Sequence, residues 1–240
     1  MFEFDSRIRY SEVDGAGNLT VPSLLDYFQD ASVFHSESLG LGVDHLMKEQ
    51  IAWVLSSWQI IINRMPKLYE KVWVQTWPHG FKSFFGYRNF AIRNEQGELL
   101  AYANSSWIFM NLATGRPSKI PEYMLEAYAL EDPLPMEDGI RKMAVPDTYE
   151  EEATVIVPKY FIDTNGHMNN GKYVLTAMEY VPENFKIEEI RAEYKKSAMC
   201  GDVIFPRVTK EEHKITINLA AEDGKTYAVV EFLERGALCD

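Results

Sequence analysis

The first half of the chain combines one helical pattern with several strand-like ones. Leu24, Phe28 and Ala31 recur at helical spacing, after a possible cap at Thr20 and a first-turn proline at Pro22. Segments rich in β-branched and aromatic residues then predict strands at 51–62, 72–77, 84–93 and 99–110. The order predicts a helix followed by an antiparallel meander.

The second half repeats this order. Residues 154–161 have the composition of a strand, and a helix is predicted over 172–181, with Tyr173 and Ala177 on one face and Pro182 after its end. Further strands are predicted at 187–194, 203–209, 215–220 and 227–234. Between the halves, Gly- and Pro-rich composition over 111–150 predicts a linker with a short helix around 121–129.

A short polar loop precedes each predicted helix. The second copy runs Asp-Thr-Asn-Gly-His from Asp163, and the first runs Asp-Gly-Ala-Gly-Asn from Asp14. The amide and imidazole of the second copy, Asn165 and His167, are therefore Ala and Asn in the first. The repeat indicates two versions of one module, with the richer polar chemistry in the second.

The spacing between equivalent positions changes along the chain. Asp163 lies 149 positions after Asp14, whereas the predicted strand starts at Lys71 and Asp202 lie 131 apart. We therefore predict about 18 additional residues in the first half, near 40–50.

Composition excludes several classes of function. Lys and Arg total 24 against 36 Asp and Glu, so general nucleic-acid binding lacks the basic surface it requires. The two cysteines and five histidines have no disulfide-framework or metal-ligand spacing. With no apolar signal core at the N-terminus and no transmembrane run, we expect a soluble, cytoplasmic protein.

The ordered motifs resemble the acyl-(acyl carrier protein) thioesterases of plant plastids and their bacterial relatives. In the second half the resemblance rests on the Asp-x-Asn-x-His-x-Asn-Asn run from Asp163 and on Glu-Tyr-Lys-Lys from Glu193. In the first half it rests on the segments 24–30, 51–54, 105–111 and 116–121.

The resemblance implies an α+β double hotdog, in which two helix-wrapped antiparallel sheets form one pseudo-dimer. It implies an acyl-binding N-terminal hotdog at 1–135, a linker at 136–150 and a catalytic C-terminal hotdog at 151–240. The implied reaction is hydrolysis of a fatty acyl thioester on the phosphopantetheine arm of acyl carrier protein, which releases a free fatty acid. No metal or cofactor is expected, the partners are the carrier and the acyl chain, and the oligomeric state stays open.

The resemblance assigns catalysis to Asp163, Asn165 and His167. Asp163 can activate water as a general base or attack the thioester to form an anhydride. Asn165 can donate an amide hydrogen bond, and His167 can position water or relay a proton. We also expect a helix to begin near Gly166, with free N–H groups that bind developing negative charge. Spacing alone favours an ordinary capped turn and a surface histidine, and the resemblance reverses that preference.

The chain departs from the plant enzymes at one catalytic position. Where those carry an acidic residue followed by Cys, this chain has Ser197 and Ala198, with Cys200 two residues beyond. Ser197 is kept as a candidate that orients water, and Cys200 is expected to be buried and structural. Two alternatives stay open: an acyl-coenzyme A thioesterase of the same fold, and a non-catalytic acyl-binding protein. A basic stretch from Lys195 to Lys214 fits either carrier docking or a solvated strand face.

Overall fold

The computed structural model describes residues 1–136 and 142–234. Within those ranges the helices are α1 (Val21–Ser38), α2 (Val43–Lys48), α3 (Glu122–Ala127) and α4 (Asn170–Met178). The strands are β1 (Phe2–Arg7), β2 (Ile51–Ile62), β3 (Lys71–Lys82), β4 (Phe85–Asn94), β5 (Leu99–Asn111), β6 (Arg116–Pro117), β7 (Glu150–Glu151), β8 (Val155–Ile156), β9 (Glu189–Tyr194), β10 (Val203–Lys210), β11 (Lys214–Ala220) and β12 (Thr226–Leu233).

The chain divides into two compact units. The first comprises Met1–Ser56 and Ile62–Glu137. Its sheet has the order β1-β3-β4-β5, with β2 beside β5, and its strand pairs are antiparallel. Helix α1 packs on this sheet through fully buried apolar residues, among them Leu24 and Phe28, because these share one helical face.

The first unit also has a satellite apolar cluster built by its loops and short helices. Its buried members are Leu41, Ile51, Phe109, Ile120, Met124 and Tyr128. Half-buried Trp53 and Phe81 pack against it. Helix α3 and the segment after α1 therefore have a core of their own.

The second unit comprises Ser57–Ile61 and Asp138–Asp240. Residues Ser57–Ile61 pair with β9, and the order continues β9-β12-β11-β10-β7, with β8 also pairing with β10. Helix α4 packs on this sheet through Tyr173, Val174 and Ala177, all of them buried.

The predicted α+β class, with a helix packed on an antiparallel sheet in each half, is confirmed. Helix α1 begins as predicted, since Thr20 Oγ1 accepts the Ser23 N–H at 3.3 Å. The strand predicted over 154–161 is too long: only Val155–Ile156 of it forms a strand, and after Pro158 the residues Lys159–Phe161 form a 3₁₀ turn. The chain also has an edge strand, β1, that the sequence pattern did not predict.

The position of the additional first-half segment needs correction. Tyr69 and Gly201 make equivalent turns, and each has a positive φ. Each donates its N–H to the carbonyl of the residue that follows the strand before the loop, Ile8 after β1 and Val157 after β8. They are 132 positions apart, so the insertion is one residue shorter than the sequence alignment implied. Helix α1 has 18 residues and α4 has 9, so the additional residues include the second half of α1 as well as α2.

The predicted boundaries 1–135, 136–150 and 151–240 stay predictions. Residues 137–141 of the predicted linker lie outside the described residues. Among the described helices, none combines the length and the apolarity that crossing a membrane requires.

Candidate functional site

The Asp163 loop is a tight turn organised by its own carboxylate. Asp163 Oδ1 accepts the backbone N–H groups of Asn165 at 2.8 Å and His167 at 3.3 Å. The Asp163 N–H donates to the His167 carbonyl at 2.8 Å, and the Gly166 N–H donates to the Asp163 carbonyl at 3.1 Å. Gly166 has a φ of 77°, a left-handed conformation that favours glycine.

The helix begins between the two starts expected from the sequence, after Gly166 and two residues before Lys172. Gly166 belongs to the turn, and α4 begins at Asn170 with Asn169 as its cap, whose Oδ1 accepts the Gly171 N–H at 2.8 Å. The expectation that N–H groups near Gly166 bind an anion is therefore wrong, because those of Asn165, Gly166 and His167 are all used inside the turn.

The side chains of the turn remain available for chemistry. Asp163 is half-buried, whereas Asn165 and His167 are exposed. Within residues 1–136 and 142–234, Asp163 Oδ2 accepts no hydrogen bond, and neither the Asn165 amide nor the His167 ring makes one. The turn thus fixes one oxygen of the carboxylate and leaves the other free.

Ser197 lies on the segment next to the loop. The Met168 N–H, one residue after His167, donates to the Ala198 carbonyl at 2.9 Å. The Ser197 side chain is exposed, and in the described part of the chain it makes no hydrogen bond to Asp163. Cys200 is exposed, so the expectation of a buried structural cysteine is wrong: it follows the segment on an exposed turn.

The first unit contains the same turn without the added polar groups. Asp14 Oδ1 accepts the N–H groups of Ala16 and Asn18, both at 2.9 Å. Asp14 and Gly17 repeat the two backbone bonds, and Gly17 also has a φ of 77°. The turn geometry by itself therefore does not distinguish a catalytic aspartate from a structural one.

Three tyrosines of the second unit, Tyr173, Tyr194 and Tyr227, make hydrogen bonds that sequence periodicity does not reveal. Burial raises the pKa of Tyr173 and of Tyr227 to about 12 in each case, and it also raises the pKa of Tyr194. The Tyr227 hydroxyl donates to Asp202 at 3.1 Å, and that of Tyr194 donates to the Asn170 carbonyl at 3.0 Å. At the equivalent first-half positions the residues are Leu24, Ile62 and Leu100.

The basic stretch is largely neutralised by its own neighbours. Lys195 and Lys214 pair with Glu193 and Glu211, at 3.3 Å and 2.7 Å. Lys196 is different, because its ammonium lies 5.0 Å from the centre of the Tyr227 ring. It lines an open depression of about 530 Å³. The paired lysines fit the interpretation of a solvated strand face.

Both halves of the chain match family profiles. Residues 1–128 match the acyl-ACP thioesterase N-terminal domain, and residues 146–233 match the acyl-ACP thioesterase C-terminal domain. A palmitoyl-acyl carrier protein thioesterase of Gossypium hirsutum is 28% identical over 218 residues, covering 84% of this chain and 52% of the relative. The chain spans about half the length of the curated relatives it matches.

Solved structures agree over nearly the whole chain. An acyl-ACP thioesterase from Bacteroides thetaiotaomicron superimposes with a TM-score of 0.87 at 25% identity, covering 96% of each chain. The 12:0-ACP thioesterase from Umbellularia californica superimposes with a TM-score of 0.85 at 22% identity, covering 97% of this chain and 96% of its own, a likeness of fold. With both of its halves matched, the chain belongs to the acyl-ACP thioesterase family.

Proposed function

We propose that the protein hydrolyses fatty acyl thioesters carried on acyl carrier protein and releases free fatty acids. The observation that carries the proposal is the Asp163 turn. Its carboxylate is anchored through one oxygen, the other oxygen has no partner among the described residues, and an exposed amide and an exposed imidazole lie on the same turn. Membership of the family supports the substrate class, since relatives are named palmitoyl- and dodecanoyl-acyl carrier protein hydrolases.

Asp163 supplies the carboxylate for the reaction by one of two routes. As a general base it takes a proton from water, and the resulting hydroxide attacks the thioester carbon. As a nucleophile it attacks the carbon itself, and water then hydrolyses the mixed anhydride. Either route breaks the C–S bond and returns a proton to the carrier thiol.

The neighbouring side chains divide the remaining tasks. Since the backbone N–H groups of residues 165–167 are occupied, the Asn165 amide is the donor we assign to the developing oxyanion. His167 is exposed on the same turn and can return the proton to the leaving thiol. Ser197 has no charge, so its proposed part is to orient water.

This chemistry needs no metal or redox cofactor, because an activated carboxylate and water suffice for acyl transfer. We propose a cytoplasmic location, in keeping with an exposed thiol at Cys200 and the reducing conditions of that compartment. The partner is acyl carrier protein, and a homo-oligomer is compatible with the proposal.

The test is a hydrolysis assay on matched substrates. Dodecanoyl and palmitoyl groups are presented on acyl carrier protein and on coenzyme A, and the free thiol and free fatty acid are both measured. We expect kcat/KM on the carrier substrates to exceed that on coenzyme A by at least about tenfold. The reverse preference would favour the acyl-coenzyme A alternative.

The second candidate function is non-catalytic acyl binding, and Ser197 in place of the family's acid is the observation in its favour. It predicts saturable binding of acyl carrier substrates, measured by calorimetry, with no thiol released from any of them. That result would reject hydrolysis.

A further inference from the structure

In the segment bearing Ser197, both backbone polar groups of the next residue, Ala198, make hydrogen bonds to other segments. The Ala198 N–H donates to the hydroxyl of Tyr173 on α4 at 2.8 Å, and the Ala198 carbonyl accepts the Met168 N–H at 2.9 Å. Ala198 is fully buried and Tyr173 is 2% exposed, so water does not compete for this bond. Ala198 therefore connects the Asp163 loop to the core of the second unit.

The first unit keeps one of these two bonds and lacks the other. Pro66 is the equivalent of Ala198, because its carbonyl accepts the Leu19 N–H at 2.7 Å, as that of Ala198 accepts the Met168 N–H. Proline has no N–H to donate, and the residue equivalent to Tyr173 is Leu24, which has no hydroxyl to accept. Donor and acceptor are therefore absent together from the unit whose loop has Ala16 and Asn18 in place of Asn165 and His167.

We infer that Tyr173 is a positioning residue, whose hydroxyl holds the Ser197 segment against the Asp163 loop for catalysis. This inference rests on the proposed function. A bond made only for fold stability would serve both units equally, yet the first unit closes the same turn and carries the same carbonyl bond without it.

The role of the hydroxyl is to fix geometry. Because the pKa of Tyr173 is raised to about 12 by burial, with the Tyr227, Asp202 and Asp163 groups adding to the effect, the phenol stays protonated through neutral pH. It therefore does not titrate with turnover. Its contribution is the placement of Ser197 and of the loop joined to Ala198, and small displacements of reacting groups reduce rates strongly.

The first test removes the acceptor and keeps the ring. For Tyr173→Phe we expect kcat on palmitoyl-acyl carrier protein to fall about tenfold with KM within about twofold. Hydrogen exchange of the Ala198 amide should accelerate about fivefold or more. Tyr27→Phe is the matched control, since Tyr27 is a 7% exposed helix tyrosine of the first unit whose hydroxyl also makes a hydrogen bond, in this case by donating to Glu12 at 2.9 Å. It should change neither readout.

The second test removes the donor. Ala198→Pro copies the residue that the first unit has at this position and puts the ring Cδ where the N–H now meets the Tyr173 hydroxyl, so the bond is lost. It should reduce kcat to the same extent, and adding Tyr173→Phe to it should produce no further loss. If Tyr173→Phe does not fold, as judged by circular dichroism, Ala198→Pro alone carries the same expectation.

Two results would overturn the inference. One is an unchanged kcat in Tyr173→Phe, whether or not exchange of the Ala198 amide accelerates. The other is an equal additional loss of kcat when Tyr173→Phe is made in the Ala198→Pro background, which would mean that the hydroxyl acts elsewhere. If the unmodified protein hydrolyses no thioester, the proposed function fails and the catalytic role fails with it, while the exchange measurement still reports whether the bond orders the segment.

Discussion

The two aspartate turns are nearly identical in backbone and differ in what they display. Asp14 and Asp163 each accept two N–H groups through Oδ1, and each turn has a glycine with a φ of 77°. Only the second turn adds an exposed amide and imidazole, at Asn165 and His167. The turn is thus the shared framework, and the candidate chemistry lies in the side chains it displays.

The Asp14 turn is an internal control for each role assigned to the Asp163 turn. A role that follows from the turn itself should be shared by both copies, and a role in catalysis should be confined to the second. Substitutions made in pairs, one in each unit, separate the two kinds of role without reference to another protein.

The largest difference is expected for the aspartates themselves. Asp163→Asn retains an oxygen that accepts the two N–H groups and removes the charge, so kcat should fall at least about 10²-fold, as for a lost general base. Asp14→Asn should leave kcat unchanged, with thermal unfolding of both variants close to that of the unmodified protein. Equal effects of the two substitutions on kcat would assign Asp163 to structure.

A smaller loss is expected when the second turn is converted into the first. Asn165→Ala combined with His167→Asn gives the second loop the residues of the first at both positions. We expect a fall in kcat of about 10²-fold, the lower end for one lost oxyanion donor, and less than the fall in Asp163→Asn because the carboxylate is kept. Retention of full activity on acyl carrier substrates would contradict the assignment of both side chains.

Acyl-chain preference should respond to the first unit. Phe81→Ala enlarges the space beside the satellite cluster, so the ratio of kcat/KM for palmitoyl to dodecanoyl substrates should change about tenfold. Phe205→Ala, at another half-buried phenylalanine on β10 of the second unit, is the control and should change the ratio less. The opposite ranking would place chain selection in the second unit.

The smallest effect concerns a buried basic pair of the first unit. Arg88 donates to His35 Nδ1 at 3.0 Å, and burial, with the nearby Arg88 charge, lowers the pKa of His35 to about 4. His35 is protonated below about pH 6.5 in the unfolded chain, whereas in the folded protein it stays neutral down to about pH 4. Its contribution to the free energy of unfolding is therefore complete above pH 6.5 and is lost as the pH falls towards 4.

Lowering the pH from 7 to 5 should therefore reduce the free energy of unfolding by about 1–2 kcal/mol through the titration of His35, as measured by urea denaturation. His35→Gln removes the titrating ring, so the same pH change should cost the variant less. An unchanged pH dependence in His35→Gln would show that other groups account for it.

The sequence was sufficient to predict the repeated order of helix and strands because that order depends on local periodicity. Thr20 and Pro22 located the start of α1, since capping is a local hydrogen bond. The same reasoning placed the second helix too late, because Asn169 and Asn170 look like loop residues until the cap at Asn169 is seen.

The parts that could not be predicted depend on bonds between distant segments. The pairing of Tyr173 with Ala198 joins residues 25 positions apart, and periodicity assigns both simply to a buried interior. The equivalence of Tyr69 and Gly201 likewise depends on turn hydrogen bonds, so an alignment on strand starts was one residue off. The sequence did contain one indication of this bond. Leu24 and Tyr173 are equivalent positions of the repeat, and the residue changes from apolar in the first half to polar in the second.

The satellite cluster of the first unit has a consequence for how such a chain can diverge. It is assembled from α3, the segment after α1 and the neighbouring strands, and it includes no residue of the Asp163 turn or of the Ser197 segment. A mutation there alters the packing of the first unit and leaves every hydrogen bond of that turn in place. Duplication followed by insertion in one copy therefore gives natural selection two largely independent targets, one for the packing of an apolar cluster and one for the polar groups of the Asp163 turn.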